Sequence, residues 1–101
     1  MLLKISIIAP EILKYKEENN EKNDLWSLGI IIYILYFKEY PYKGENKLKI
    51  IEQINKNKQN FKKTGNSDLD DLIIKLLNDD PQKRISWEDY FNHPFFLKNK
   101  Y

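Results

Sequence analysis

The fold is decided by residues 24–37, the stretch Asp24-Leu25-Trp26-Ser27-Leu28-Gly29-Ile30-Ile31-Ile32-Tyr33-Ile34-Leu35-Tyr36-Phe37. A helix built from this stretch carries apolar side chains on nearly every side, and a helix without a polar face has to be enclosed by other elements. The β-branched run from Ile30 to Ile32 would also suit a strand. The length of the stretch, with no turn residue after Gly29, favours a helix. We therefore predict a buried central helix over residues 24–37.

Shorter patterns on either side of this stretch predict further helices. A first helix begins near Ala9-Pro10-Glu11, after an apolar stretch at residues 5–8, whereas the polar residues 14–23 are predicted to form a loop because they lack apolar periodicity. A turn follows the central helix at Tyr40-Pro41-Tyr42-Lys43-Gly44. The next segment has the apolar spacing of an amphipathic helix. Its stripe consists of Leu48, Ile51 and Ile54 at a spacing of three residues, with Ile50 nearby.

Two capping patterns predict where the last helices begin. In Ser67-Asp68-Leu69-Asp70, Ser67 is the predicted N-cap, and the helix ends before Asp80-Pro81 because a residue that precedes proline is pushed out of the helical region. Ser86-Trp87-Glu88-Asp89 opens a final short helix, which ends at His93-Pro94. The predicted fold class is therefore all-α, with about five helices around one buried central helix in a single domain over residues 1–101.

Composition excludes several classes of protein and of site. The chain has no cysteine, which rules out disulfides and thiolate zinc sites and fits an intracellular, cytoplasmic location; its one histidine, His93, argues against a histidine-based metal site. The 17 basic and 15 acidic residues are interspersed and leave a net charge of only +2, which argues against a nucleic-acid partner. The longest apolar run, residues 28–37, is about half the length that spans a bilayer, so no membrane segment is predicted, and no signal peptide is visible.

Three motifs occur in order along the chain. They are Ala9-Pro10-Glu11, then Asp24-Leu25-Trp26-Ser27-Leu28-Gly29, then Asp80-Pro81-Gln82-Lys83-Arg84-Ile85 with His93-Pro94-Phe95-Phe96 behind it. Together they resemble the last third of a eukaryotic protein-kinase domain, from the Ala-Pro-Glu motif to the end of the large lobe. The resemblance covers about residues 5–97. It is closer to serine/threonine kinases, because tyrosine kinases more often carry Phe where this chain has Leu28.

The resemblance implies structural roles for five residues, which are Glu11, Asp24, Trp26, Gly29 and Arg84. In the family, the residue that matches Glu11 pairs with the arginine that matches Arg84. The two residues lie 73 positions apart, and without the motifs they would be taken for two exposed charges that never meet. The residue that matches Asp24 accepts hydrogen bonds from the backbone of the catalytic loop, although an Asp in a first helical turn is usually only a cap. Trp26 and Trp87 are expected to be core residues, and His93 is expected to be structural.

The chain departs from the family at every position that transfers phosphate. Phosphoryl transfer needs a glycine-rich loop, a lysine with its glutamate partner, a His-Arg-Asp catalytic loop and an Asp-Phe-Gly metal ligand. None of these motifs occurs in the 101 residues. Lys4 stands where the family has a substrate-positioning Thr, and Ile7 stands where it has Tyr. We therefore predict no catalytic, cofactor-binding or metal-binding residue in this chain, and ATP and Mg²⁺ belong to the parent family.

Two functional hypotheses follow from this pattern. The first is part of a serine/threonine protein kinase, as a truncated product, a misplaced gene start or one half of a split domain. The second is a non-catalytic helical interaction module or a degenerate kinase-derived scaffold. Both predict a protein partner, such as the missing half of the kinase domain. Self-association is also expected, because the other helices can cover only part of the apolar surface of residues 24–37.

Overall fold

The computed structural model describes residues 8–15, 20–57 and 59–98. Within these ranges the chain is helical and contains no β-strand, so the predicted all-α class is confirmed. Lys4 and Ile7, and most of the apolar stretch at residues 5–8, lie outside the described residues. The described helices are α1 (Pro10–Tyr15), α2 (Glu21–Phe37), α3 (Lys47–Asn57), α4 (Ser67–Leu76), α5 (Trp87–Phe91) and α6 (Pro94–Lys98).

The central helix α2 begins three residues earlier than predicted, and the predicted loop over residues 14–23 is wrong at both of its ends. Asn20 is the N-cap: its side-chain oxygen accepts from the backbone N–H of Lys22 at 2.8 Å and of Asn23 at 3.4 Å. Asn23 returns the interaction, because its side-chain oxygen accepts from the Asn20 N–H at 2.7 Å. This reciprocal cap satisfies backbone donors that the helix itself leaves unpaired, so a polar segment without apolar periodicity still starts the helix.

The start of α4 also differs from the prediction by one residue. Asn66, not Ser67, is the N-cap, and its side-chain oxygen accepts from the N–H groups of Asp68 at 3.0 Å and Leu69 at 3.1 Å. Asp70 does not complete a capping box and instead accepts from the backbone and hydroxyl of Thr64, at 2.8 and 2.9 Å. The Thr64 contact thus ties the preceding loop to the first turn of α4.

The last two helices follow the second capping pattern. Ser86 is the N-cap of α5, and its hydroxyl oxygen accepts from the Asp89 N–H at 3.1 Å, as predicted. His93-Pro94 does end α5, but Pro94 is also the first residue of α6. Proline is favoured at this position because the first N–H of a helix needs no intrahelical partner.

Two clusters of buried side chains meet on α2, one on each side of the α2–α4 contact. The first joins α2 to α3 and α4 and consists of Ala9, Trp26, Ile30, Tyr33, Tyr42, Ile50, Ile54, Ile73 and Leu77. The second joins α2 to the end of α4 and the segment before α5, and consists of Leu25, Leu72, Leu76 and Ile85. Half-buried aromatic residues of α5 and α6 pack against this second cluster. The central position predicted for the helix is therefore confirmed.

The close approach of α2 and α4 depends on Gly29. A Cβ atom at this position would lie 2.8 Å from Leu76 Cβ and 2.8 Å from Leu77 Cδ2, which is shorter than real Cβ contacts. Leu76 Cβ is fixed to its backbone and has no rotamer that moves it away. Gly29 is therefore required by the packing distance between two helices, and not by its backbone angles.

The enclosure of α2 is incomplete in its second half. Ile31, Leu35 and Tyr36 are 44%, 66% and 50% exposed. Beside them lies an apolar groove of about 390 Å³. Its lining consists of Ile32, Leu35, Tyr36, Leu69, Leu72, Tyr90, Phe95 and Phe96. The expectation that the other helices cover only part of the apolar surface of this segment is thus confirmed. None of the helices in the described ranges is long and apolar enough to cross a membrane.

We expect Gly29→Ala to destabilise the fold. The substitution gains about 1 kcal/mol of helix propensity, but overpacking of a rigid contact costs about 1–3 kcal/mol, so the net change should be a loss. Urea unfolding followed by far-UV circular dichroism measures it. Ile31→Ala, at an exposed position of the same helix, is the matched control and should leave the midpoint nearly unchanged. A Gly29→Ala midpoint equal to or above that of the wild type would contradict this role of Gly29.

Candidate functional site

Arg84 is held in place by the turn that follows α4. The backbone N–H of Arg84 donates to the Asp80 carbonyl at 3.0 Å, and the Asp80 carboxylate accepts from the Gln82 N–H at 2.9 Å. The next residue, Ile85, donates from its backbone N–H to the carbonyl of Lys75 at 3.2 Å. These bonds fold the chain back against α4 and direct the Arg84 side chain into the interior, where only 2% of the residue is exposed.

Glu11 enters the same interior from the other end of the chain. It is the second residue of α1, which begins at Pro10. Ala9 and Glu11 are 1% and 3% exposed, so the start of this helix is inserted into the protein. A carboxylate in the first turn of a helix also interacts favourably with the positive end of the helix dipole.

Glu11 and Arg84 form a buried bidentate ion pair. Arg84 Nη1 lies 2.8 Å from Glu11 Oε2, and Arg84 Nη2 lies 2.9 Å from Oε1. Their side chains are 2% and 0% exposed, respectively. The two parallel N–H···O bonds match the fork of the guanidinium to the carboxylate. The predicted contact is confirmed, and the alternative of two separate surface charges is wrong.

Neighbouring groups add further hydrogen bonds to both members of the pair. Arg84 Nη1 also donates to the Lys22 carbonyl at 2.7 Å, and Nε donates to the Asn78 carbonyl at 2.9 Å. The side-chain amide of Asn23 donates to Glu11 Oε2. Across the described ranges, no buried side-chain nitrogen or oxygen lacks a hydrogen-bond partner. Since buried charges are tolerated only when they are paired and hydrogen-bonded, this completeness makes the pair stable.

Trp26 forms the aromatic side of the site. The guanidinium carbon of Arg84 lies 5.3 Å from the centroid of the Trp26 ring, within cation–π range. Trp26 also stacks on Tyr42: the two ring centroids are 6.0 Å apart, and the angle between the ring planes is 5°. Burial raises the pKa of Tyr42 to about 12, so its hydroxyl is neutral at physiological pH. Trp26 is fully buried, in agreement with its predicted core role, whereas Trp87 is only half-buried.

Glu11 is ionised in the folded protein. Burial by itself would raise the pKa of this carboxyl, because it removes water from the charged form. The hydrogen bond from Arg84, a hydrogen bond with the backbone, the positive charge of Arg84 and the hydrogen bond from Asn23 act in the opposite direction. Their combined effect holds the pKa of Glu11 below its ordinary value of 4.5. The site is therefore a true ion pair at neutral pH.

Asp24 does not join this site. It is exposed in the first turn of α2. Its hydrogen bonding to a catalytic loop, which the resemblance implies, stays a prediction. The site instead uses Asn23, which the sequence analysis does not identify because the lack of apolar periodicity predicts a loop over residues 14–23. The available signal was the pair Asn20 and Asn23, at the three-residue spacing of a capping box.

His93 has a structural environment. It is buried, and its Nε2 lies 2.8 Å from the carboxylate of Asp71, while Nδ1 accepts from the Phe95 N–H at 3.0 Å. Acceptance at Nδ1 assigns the ring proton to Nε2, which donates to Asp71. Both ring nitrogens are thus engaged in holding the start of α6 against α4. Within the described ranges, no cluster of three or more His, Asp or Glu side chains is arranged to hold a metal ion.

The arrangement around Glu11 and Arg84 is therefore a structural ion pair and not a reactive centre. Each charged atom has a fixed hydrogen-bond partner and lies away from solvent, so neither group is exposed to a substrate. What the geometry does is attach the Ala-Pro-Glu segment to the start of α2 and to the turn after α4.

We expect Glu11→Ala to lower the free energy of unfolding by about 3–5 kcal/mol, because it leaves the Arg84 charge buried without its counter-ion. Thermal and urea unfolding measure this change. Glu52→Gln is the matched control, since Glu52 forms an exposed pair with Lys49 and is 67% exposed. The control should leave the unfolding midpoint almost unchanged. Equal effects of the two substitutions would show that the buried pair is dispensable.

The dependence of stability on pH gives a second measurement of the same pair. Because the native pKa of Glu11 lies below 4.5, its contribution is fully present above that pH and is lost as the pH falls towards the native pKa. Glu11→Gln has no carboxyl to titrate. The difference in unfolding free energy between wild type and Glu11→Gln should therefore shrink below pH 4.5. A difference that stays constant through this range would contradict the ionised pair.

Comparison with known proteins agrees with this geometry. The family described as "Protein kinase domain" matches residues 5–96. Serine/threonine-protein kinase atg1 of Dictyostelium discoideum is 39% identical over 92 residues, which cover 91% of this chain and 14% of that protein. Serine/threonine-protein kinase apg-1 of Neurospora crassa is 38% identical over 91 residues, covering 86% of this chain and 9% of that protein.

A third relative extends the comparison to a yeast protein. Serine/threonine-protein kinase ATG1 of Pichia angusta is 33% identical over 94 residues, which cover 89% of this chain and 12% of that protein. The chain thus spans about a tenth to a seventh of the length of these three relatives. The family match covers nearly the whole chain, and it includes both members of the buried ion pair. The chain belongs to the protein kinase domain family.

Proposed function

We propose that these residues form the C-terminal helical part of the large lobe of a serine/threonine protein kinase. The parent reaction is the ATP-dependent transfer of a phosphoryl group to a Ser or Thr hydroxyl of a protein. The observation that carries the proposal is the buried Glu11–Arg84 pair, which joins the Ala-Pro-Glu segment to the turn after α4. The three relatives are all named as serine/threonine-protein kinases, which supports Ser and Thr as the residues that the parent reaction phosphorylates.

We assign this chain a scaffolding role in that reaction and not the transfer itself. Its sequence contains no Gly-x-Gly-x-x-Gly, no His-Arg-Asp and no Asp-Phe-Gly motif. ATP and its metal ions would therefore be bound by residues outside these 101. An intracellular location follows from the same proposal, since ATP is an intracellular substrate.

A second candidate function is a non-catalytic interaction module or a degenerate kinase-derived scaffold. The apolar groove beside Leu35 and Tyr36 favours it, because it offers about 390 Å³ of largely apolar space at the surface. Within the first proposal, the same groove is covered by the remainder of the kinase domain. Both functions give the chain a protein partner, and neither involves nucleic acid or a membrane.

We expect the purified chain to show no Mg²⁺-dependent ATP hydrolysis and no phosphorylation of a generic protein substrate. The reason is that the phosphate-binding and metal-binding motifs listed above are absent from its sequence. A radiolabelled-phosphate transfer assay measures both activities, with a complete serine/threonine kinase as positive control. Transfer that survives stringent purification would refute the scaffolding role. An in-frame His-Arg-Asp and Asp-Phe-Gly upstream of the Met1 codon would favour the kinase over the interaction module.

We also expect the isolated chain to self-associate through the apolar face of α2. Leu35 is 66% exposed in the groove, and burial of such a side chain is worth about 1.5–3 kcal/mol. Light scattering should show species larger than the monomer, and Leu35→Gln should reduce them. Leu48→Gln, at a 72% exposed leucine of α3, is the matched control and should not. A monomer with a sharp cooperative melt would contradict self-association and favour the interaction module.

A further inference from the structure

A second concave surface lies on the polar side of the fold. It is a pocket of about 570 Å³ between the first turn of α2, the end of α4 and the start of α5. This volume is within the range of small-ligand sites, about 300–1,000 Å³. The residues that give it its chemical character are Lys22, Lys75, Lys83, Ser86, Asp89 and His93. The pocket shares Arg84 with the buried ion pair, but its lining does not include Glu11.

Two of the lysines bring positive charge that is not paired with any carboxylate of the described residues. Lys22 Nζ donates to the backbone carbonyl of Arg84, which fixes the ammonium at the pocket wall without cancelling its charge. Lys83 is exposed, and no carboxylate of the described residues lies within 4.0 Å of its ammonium. Lys75 differs, because it pairs with Asp71 at 3.0 Å. The surplus charge of the pocket therefore comes from Lys22 and Lys83.

The remaining polar groups favour an anion with several acceptor oxygens. The Ser86 oxygen accepts from the Asp89 N–H, so the Ser86 hydroxyl proton remains available for donation to a ligand. Asp89 is the one carboxylate in the lining, and its charge opposes an anion. A phosphate group suits ammonium groups and a hydroxyl donor placed in this way, because it combines negative charge with three strong acceptors. Its attraction is strengthened where a cleft excludes part of the solvent.

We propose that this pocket binds a phosphate group, with Lys22 and Lys83 as counter-charges and the Ser86 hydroxyl as a hydrogen-bond donor. The group is carried either by free inorganic phosphate or by a phosphorylated serine side chain. The site is separate from the ATP chemistry of the parent family, since its lining from α2, α4 and the segment around α5 contains none of the family's phosphate-binding motifs. The proposal therefore stands whether or not the chain contributes to a kinase.

The experiment is a titration of the ¹⁵N-labelled full chain by NMR at constant ionic strength. The probes are inorganic phosphate and O-phosphoserine, with serine in chloride as the blank. Three variants change one charge each. Lys83→Gln removes a counter-charge, Asp89→Asn removes the opposing carboxylate, and Lys63→Gln removes a charge from an exposed lysine of the loop before α4. Isothermal titration calorimetry measures the same affinities without the need for assigned spectra.

We expect saturable shifts of the backbone amides of residues 82–92. Lys83→Gln should weaken binding about threefold or more and Asp89→Asn should tighten it, because charge pairs in a cleft exceed the weak pairs of an open surface. Saturation by phosphoserine alone would assign the site to a phosphorylated side chain, and saturation by inorganic phosphate would assign it to a small anion. Equal weakening by Lys63→Gln and Lys83→Gln, or no saturation at about 50 mM, far above the millimolar Kd of even a weak specific site, would overturn the proposal.

Discussion

The structure depends on one constraint, which is that the charge of Arg84 lies in the interior and has to be compensated there. Compensation by Glu11 brings together two positions that are 73 residues apart in the chain. The other donors of the guanidinium then fix the start of α2 through the Lys22 carbonyl and the end of α4 through the Asn78 carbonyl. Four separate segments thus meet at one side chain, and each is positioned by a hydrogen bond that a buried charge cannot give up without a large loss of free energy.

The second organising feature is the contact between α2 and α4, which Gly29 makes possible. Both apolar clusters contain residues of α2 and of the α4 region, and the absence of a side chain at Gly29 lets Leu76 and Leu77 approach α2 closely. The contact with α4 buries only part of the apolar surface of α2. The exposed side chains of Ile31, Leu35 and Tyr36 remain beside an apolar groove. Because α2 is apolar on nearly all sides, it packs against its neighbouring helices and still leaves apolar surface on which a further element could pack.

The two polar regions of the molecule differ in how their charges are balanced. The charges of Glu11 and Arg84 are paired with each other and buried away from solvent, which suits a structural ion pair. In the pocket beside the turn after α4, the ammonium of Lys22 donates to a neutral carbonyl, and Lys83 is exposed. The same short segment, residues 82–86, therefore contributes both to a closed ion pair and to an open pocket with surplus charge. The proposed scaffolding role rests on the first region, and the proposed phosphate site belongs to the second.

The sequence alone determined the fold class, the central helix, the family and the pairing of Glu11 with Arg84. The fold class and the helix follow from the apolar pattern, and the family and the ion pair follow from motifs that can be read directly in the sequence. The sequence-based prediction misplaced the starts of α2 and α4. Asn20 and Asn66 are the N-caps of these helices, and their side-chain hydrogen bonds to the backbone cannot be seen from helix propensity. Only the tertiary structure decided that Asn23 completes the ion pair, that Gly29 is needed for helix contact, and that Lys22 and Lys83 line one pocket. These are distances between residues remote in the chain, and such distances are fixed by packing rather than by sequence spacing.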